Sequence, residues 1–152
     1  MKKLLTSLVA LVLVATASAE VVKQFNFEDG NLDQWKYWEK EKVGKIVAGN
    51  NSSKAVEIKT GSFVDFNVSK EKTKYVLTAD VKQSWGKTPK MVVAGYDNTV
   101  KKMVDVAVLE MTSDKNYQTV TLKFKSKFTG YHRITFIPNG VMHVDNVKLE
   151  TK

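Results

Sequence analysis

The chain has 152 residues, no cysteine, 26% charged residues and a formal net charge of +8. Without cysteine there is neither a disulfide framework nor a lipid anchor on a cleavage-site cysteine, so a hydrophobic core must carry the stability. Arg133 is the single arginine and the lysines are spread along the chain. That pattern argues against a nucleic-acid reader, which clusters arginine, and describes a solvated basic surface; weak attraction to acidic polysaccharide or an anionic membrane surface is the other reading.

Met1–Ala19 reads as a targeting segment: Lys2 and Lys3, a mostly apolar run over 4–15, then Ala17-Ser18-Ala19 as a small-residue cleavage site. The apolar run is shorter than the ~20 residues of a spanning helix, so stable membrane insertion is not expected. Cleavage after Ala19 leaves 133 residues and removes Lys2 and Lys3, so the formal charge falls from +8 to +6. That length suits one domain, 20–152, expected to be monomeric and either secreted or periplasmic.

Glu20–Asn26 reads as a first strand, followed by a turn cluster at Glu28-Asp29-Gly30-Asn31. Leu32–Glu39 carries Trp35, Tyr37 and Trp38. Lys42–Val47 and Ala55–Ile58 read as strands around the turn-rich stretch 48–53. Ser62–Val68 alternates, with Val64, Phe66 and Val68 inward. Tyr75–Lys82 alternates more cleanly still, with Tyr75, Leu77, Ala79 and Val81 on one face and Thr78, Asp80 and Lys82 on the other. A loop is expected over Gln83–Lys90, where Trp85 stands beside Gly86 and near Pro89. Met91–Tyr96 and Met103–Leu109 are apolar on both faces, as in strands covered twice or bordering a ligand. Asn116–Lys125 and Tyr131–Ile137 alternate again. Pro138-Asn139-Gly140 between two apolar runs predicts a hairpin over Ile134–Leu149, since Asn-Gly accepts positive φ. About ten short strands with Gly/Asn/Asp turns predict an all-β sandwich with the first and last strands adjacent, a jelly roll.

The stretches F-E-D-G-N-L-D-Q-W, T-K-Y-V-L-T-A-D-V-K and V-D-N-V-K-L occur in that order along the chain. Together they resemble the carbohydrate-binding modules of families four, nine and twenty-two, which are galactose-binding-like jelly rolls. The resemblance implies a two-sheet β-sandwich, non-catalytic binding of polysaccharide or oligosaccharide, and a packing role for Trp35. It leaves Trp38 open, as a packing residue or an exposed ring. It also implies that the strand Tyr75–Lys82 lies in the sheet whose outer face forms the sugar cleft.

Sugar rings lay flat C–H patches on aromatic rings, and their hydroxyls need polar partners in a concave site. Trp85, Tyr96 and Tyr131 are the aromatic candidates, and Arg133, Asp80 and Gln83 the polar ones. The similar families carry a structural calcium whose ligands correspond here to Glu28 and Asp145. Calcium takes about six to eight oxygens, and the Gly49-Asn50-Asn51 loop could add more. The other reading is that the two carboxylates cap turns or pair with lysines.

Enzyme motifs are absent: no G-x-S-x-G, no H-E-x-x-H and no phosphate-cradling loop. His132 and His143 read as structural. Carboxylate pairs such as Asp80 with Asp105 could sit on one face, as a glycosidase needs. An envelope protein using the fold for protein contacts is the alternative from another class, and a small glycoside-active enzyme a third.

Overall fold

The computed structural model describes residues 19–40 and 44–152, apart from the side chains of Ser52, Ser84 and Trp85. The targeting segment therefore lies outside the described residues, Ala19 excepted. Within them, eleven strands form two antiparallel sheets. The six-stranded sheet runs β3 (Lys45–Ala48), β4 (Lys54–Ile58), β11 (Gly140–Thr151), β6 (Lys74–Gly86) and β9 (Gln118–Lys125). Strand β1 (Val21–Phe25) pairs with β11 as well, through Phe25 opposite Val147. The five-stranded sheet runs β2 (Lys36–Tyr37), β5 (Ser62–Val68), β10 (Gly130–Ile137), β7 (Lys90–Asp97) and β8 (Lys102–Glu110). The protein is a two-sheet β-sandwich with the jelly-roll arrangement, first strand beside last.

Alternation decides what lies between the sheets. Val64, Phe66 and Val68 from β5 and Ile134 and Phe136 from β10 face Tyr75, Leu77, Ala79 and Val81 from β6, all buried. Trp35 is a core residue, 4% exposed, stacked on Phe136 at 5.7 Å and edge-on to Phe25 and Phe27. It pins the segment between β1 and β2 to the centre of the sandwich.

His132 occupies an inward position on β10, fully buried between Phe66 and Gly95. A Cβ on Gly95 would come 2.6 Å from His132 Nε2, so the glycine makes the room. Burial pushes the imidazole below its ordinary pKa, partly offset by the Gly130 carbonyl 3.0 Å from Nδ1. His143 is also held low by burial, with Nε2 3.3 Å from a Glu57 carboxylate oxygen. Both behave as structural residues.

Two local expectations fail. The Pro138-Asn139-Gly140 bend does not close a hairpin, because β10 pairs with β5 and β7 while β11 pairs with β1, β4 and β6. Each strand is central in its own sheet, so the bend carries the chain over the end of the sandwich from one sheet to the other. Nor does a loop fill all of Gln83–Lys90; only residues 87–89 lie between β6 and β7. β6 continues to Gly86, with Trp85 opposite Val141. Gly86 has φ of 110° and lies so close to the Asn139 carbonyl that a side chain there would overlap it. The glycine that reads as a breaker is what lets β6 run under the β10–β11 bend.

Candidate functional site

The outer face of the five-stranded sheet is built in cross-strand rows. One row runs Lys36, Phe63, Thr135, Val92, Val108, and the next runs Asp65, Arg133, Ala94, Asp105. Val92, Ala94, Thr135 and Ile137 form a largely apolar floor. With Trp38, Met103, Asp105 and Arg133 they line an open groove of about 220 Å³. Lack of alternation in β7 is explained here: Met91 and Val93 fill the core, while Val92 and Ala94 pave the groove.

Trp38 stands at the rim, 56% exposed. Its ring lies against Gly61 so closely that a Cβ on Gly61 would overlap it. Its backbone N–H donates to the Gly61 carbonyl at 2.9 Å. The ring is thus fixed on one side and open elsewhere. A large apolar surface kept exposed in one orientation suits stacking against a flat apolar patch.

Beside Arg133 in the groove wall, Asp65 organises a polar cluster. Its Oδ1 accepts from Tyr131 Oη at 2.6 Å and Arg133 Nε at 3.0 Å, and its Oδ2 from Lys36 Nζ at 2.7 Å. Arg133 Nη2 donates to Tyr131 Oη at 2.5 Å, and its guanidinium lies 3.6 Å above the Phe63 ring. Burial alone would raise the Asp65 carboxyl; the hydrogen bonds from Lys36, Tyr131 and Arg133 outweigh it and hold the group below the ordinary carboxylate range. The Tyr131 phenol is pushed up by burial and by Asp65, so it stays a hydroxyl. Hydrogen-bonding groups thus stand pre-positioned beside an apolar floor and an exposed indole.

Tyr131 and Arg133 are brought together on this face. Tyr96 shares it, opposite Met103 on β8. Asp80 and Gln83 do not. β6 lies in the six-stranded sheet, so Asp80 faces outward on the opposite side of the sandwich and accepts from Thr119 Oγ1 at 2.5 Å and Asn146 Nδ2 at 2.9 Å. Gln83 points inward, 2% exposed, bonded to the Lys87 carbonyl, Ser113 Oγ and the Asn139 N–H. Asp80 and Asp105 fall on different sheets, so the glycosidase-like pair does not form. Trp85 is placed in β6 by its backbone alone. Trp38, which the sequence left open, is the exposed ring at the rim; Asp65, which holds Arg133, and Lys36, bonded to Asp65, stand beside the groove and are the residues that sequence reasoning missed. The outward parity of Asp65 on β5 was a signal for one of them.

A second hollow, about 150 Å³, lies beside β1 and is lined by residues that include Asn26, Asp29, Asn31 and the buried Trp35. Its side chains are mainly polar and it offers no exposed ring, so it lacks the groove's chemistry.

Glu28 and Asp145 both contact the segment that ends the 49–53 loop. Glu28 Oε1 accepts the Lys54 N–H at 2.7 Å, and Asp145 Oδ2 lies 2.5 Å from Ser53 Oγ. Asp145 is fully buried, turned by a bulge in β11 where Asn146 takes φ of 47°. It also accepts the Asn146 N–H at 2.7 Å. Among the described residues no cation pairs with Asp145, and no group of three or more His, Cys, Asp or Glu side chains converges anywhere. Ser53 Oγ lies 2.5 Å from both Asp145 Oδ2 and the Asn50 carbonyl, yet has one proton to donate. The donors are all oxygen, which is the chemistry of a hard cation.

No protein-family model and no curated protein matches the sequence. Solved structures do match. The CBM22-1 xylan-binding domain of Paenibacillus barcinonensis Xyn10C superposes with a TM-score of 0.71 at 12% identity, over 90% of this chain and 97% of that one. The CBM22-1–GH10 modules of Clostridium thermocellum xylanase 10B, complexed with xylohexaose, give 0.69 at 18% identity over 87% of this chain, which spans 28% of that protein. TmCBM61 in complex with β-1,4-galactotriose gives 0.59 at 17% identity, over 84% of this chain and 94% of that one. The fold is that of carbohydrate-binding modules, as the ordered motifs imply.

Proposed function

We propose that this chain is a non-catalytic module that binds a polysaccharide along the groove of the five-stranded sheet. The observation that carries the reading is Trp38: an exposed indole fixed on Gly61 at the rim of an apolar floor, in the groove that Arg133 also lines with its partners Asp65 and Tyr131. A sugar ring would stack on the indole, and its hydroxyls would meet Arg133, Tyr131, Asp105 and Thr135. Neighbours of the same fold were solved with xylohexaose and galactotriose, so xylan and β-1,4-galactan are the first ligands to try. By affinity electrophoresis and calorimetry, Trp38→Ala is expected to weaken binding by about tenfold or more, with an unchanged melting temperature. Failure of the unaltered protein to bind any glycan would overturn the reading in favour of protein contacts.

A structural calcium held by Glu28 and Asp145, with Ser53 Oγ and loop carbonyl oxygens, completes the proposal. It would neutralise the buried Asp145 and tie the turn after β1 to the last strand. Chelation is expected to lower the melting temperature by several degrees, since a ligand of the native state stabilises it by mass action. Asp145→Ala should be insensitive to chelator. A melting curve unmoved by chelator or added calcium would rule the ion out.

The module is exported with cleavage after Ala19, so intact mass of the extracellular or periplasmic protein is expected to start at Glu20. Detection of uncleaved chain in the membrane fraction alone would contradict this.

A further inference from the structure

One end of the sandwich gathers the β5–β6 turn, the β9–β10 connection and the β7–β8 turn. Six exposed lysines lie in or beside these segments, Lys70, Lys72, Lys74, Lys101, Lys102 and Lys125, and a seventh, Lys127, donates to the Asp105 carbonyl at 3.5 Å. None is in an ion pair among the described residues. The register sets Lys74 directly opposite Lys125. Like charges facing each other across antiparallel strands destabilise the pair, and a bound anion would relieve that repulsion. Of the acids alongside, Glu71 is exposed between Lys70 and Lys72, and Asp97 accepts the Thr99 N–H at 2.7 Å.

The lysines are displayed on a rigid frame. Ser126, 2% exposed, joins the β5–β6 turn to the end of β9. Its carbonyl accepts the Lys72 N–H at 2.9 Å, its own N–H donates to the Thr73 carbonyl at 2.9 Å, and its Oγ accepts the Thr73 N–H at 3.1 Å. Lys72 and Lys101 hold φ of 61° and 53°, a conformation uncommon for non-glycine residues. In the groove, by contrast, Asp65 engages both Lys36 and Arg133.

We propose that this lysine-rich end is a second binding surface, for an anionic polysaccharide whose sugars carry carboxylate or sulfate groups. Lysine supplies point charges without the planar fork of arginine, and so suits repeated anions that present no single geometry. The single arginine, Arg133, is held by Asp65 over Phe63, which disfavours base or phosphate readout by this end. The surface is the end of two sheets packed about 10 Å apart, a ridge that one polymer chain can follow. Val100, 51% exposed in the β7–β8 turn, is a lone apolar side chain there and too little to enter a bilayer.

The test measures binding of the mature protein to polygalacturonate, with an uncharged polysaccharide and phosphatidylglycerol vesicles in parallel. Affinity for polygalacturonate is expected to fall about tenfold as sodium chloride rises from about 0.05 to about 0.3 M, as screening shortens the reach of each charge. The double variant Lys72→Glu/Lys125→Glu should weaken it by about tenfold more. Lys87→Glu/Lys115→Glu, with the same change in net charge at the opposite end of the sandwich, should move it less than about twofold. Trp38→Ala should leave it unchanged, which separates this surface from the groove. Absence of binding, equal loss in both double variants, loss in Trp38→Ala, or capture by the vesicles alone would each overturn the proposal. Melting curves of the variants verify that the fold is intact.

Discussion

Trp35→Ala is expected to cost about 3–5 kcal/mol of folding stability, the range for deleting a large buried aromatic. Against a typical domain stability of about 5–15 kcal/mol, that leaves a marginal fold. The ring touches Phe25, Phe27 and Phe136, so its loss opens a cavity between the turn after β1 and the C-terminal end of β10. Trp38 lies three residues further along the same segment, and β2 between them makes only two register pairs to β5. The segment therefore depends on Trp35 to hold it down. Loss of stability should be accompanied by loss of glycan binding measured well below the melting transition. Trp35→Phe, which keeps a ring in the site, should recover most of the affinity and part of the stability. Urea unfolding and calorimetry of the two variants check this. Full affinity in a destabilised Trp35→Ala protein would show that the rim is held by Trp38 on Gly61 alone.

What the sequence revealed follows from the range over which each interaction acts. β5 is legible to its end residues because a strand with one face in the core alternates with period two. β7 shows no alternation because its second face is the apolar floor of the groove. The β10–β11 bend carries a strong local turn signal, yet turn chemistry cannot tell whether the flanking strands pair with each other or with strands far away. They pair elsewhere, so a hairpin signature marks a crossover. Gly86 misleads in the same way. It looks like a terminator, but its lack of a side chain admits the Asn139 carbonyl and lets β6 continue.

Site residues follow the same division. Arg133 and Tyr131 are legible from outward parity on one strand. Asp65 shows outward parity too, but its partners Tyr131 and Arg133 lie 66 and 68 residues away, a distance at which sequence spacing says nothing. Trp38 sits in a stretch with no usable period, and its exposure depends on Gly61 from a neighbouring turn. Asp80 has the correct parity for an outer face, but parity leaves open which of the two sheets carries the strand.

Asp65→Ala is expected to have the largest effect on the groove while leaving the core intact. The carboxylate takes three hydrogen bonds, two from formal cations and one from a phenol. Hydrogen bonds to charged groups are worth about 1.5–3 kcal/mol each, but Lys36 is well exposed and free to return to water. A net stability loss of about 2 kcal/mol is the expected result. The effect on binding should be greater. Arg133 would keep its place over Phe63 but lose the anchor that fixes its Nε edge, and Tyr131 would lose the acceptor that fixes its hydroxyl. With Arg133 and Tyr131 no longer held in place, a glycan complex weaker by about tenfold or more is expected. Asp65→Asn keeps one acceptor oxygen without the charge and should fall between. The pH dependence has a fixed sign. The Asp65 carboxyl is held below its ordinary value in the fold, so its contribution is complete above an unfolded pKa of about 3.9 and is lost as pH falls through the lower folded value. Tyr131 is shifted upward and remains protonated at neutral pH. Affinity should therefore stay flat from about pH 5 to about pH 8. A binding step within that window would mean that another titrating group, and not the Asp65 cluster, controls the groove.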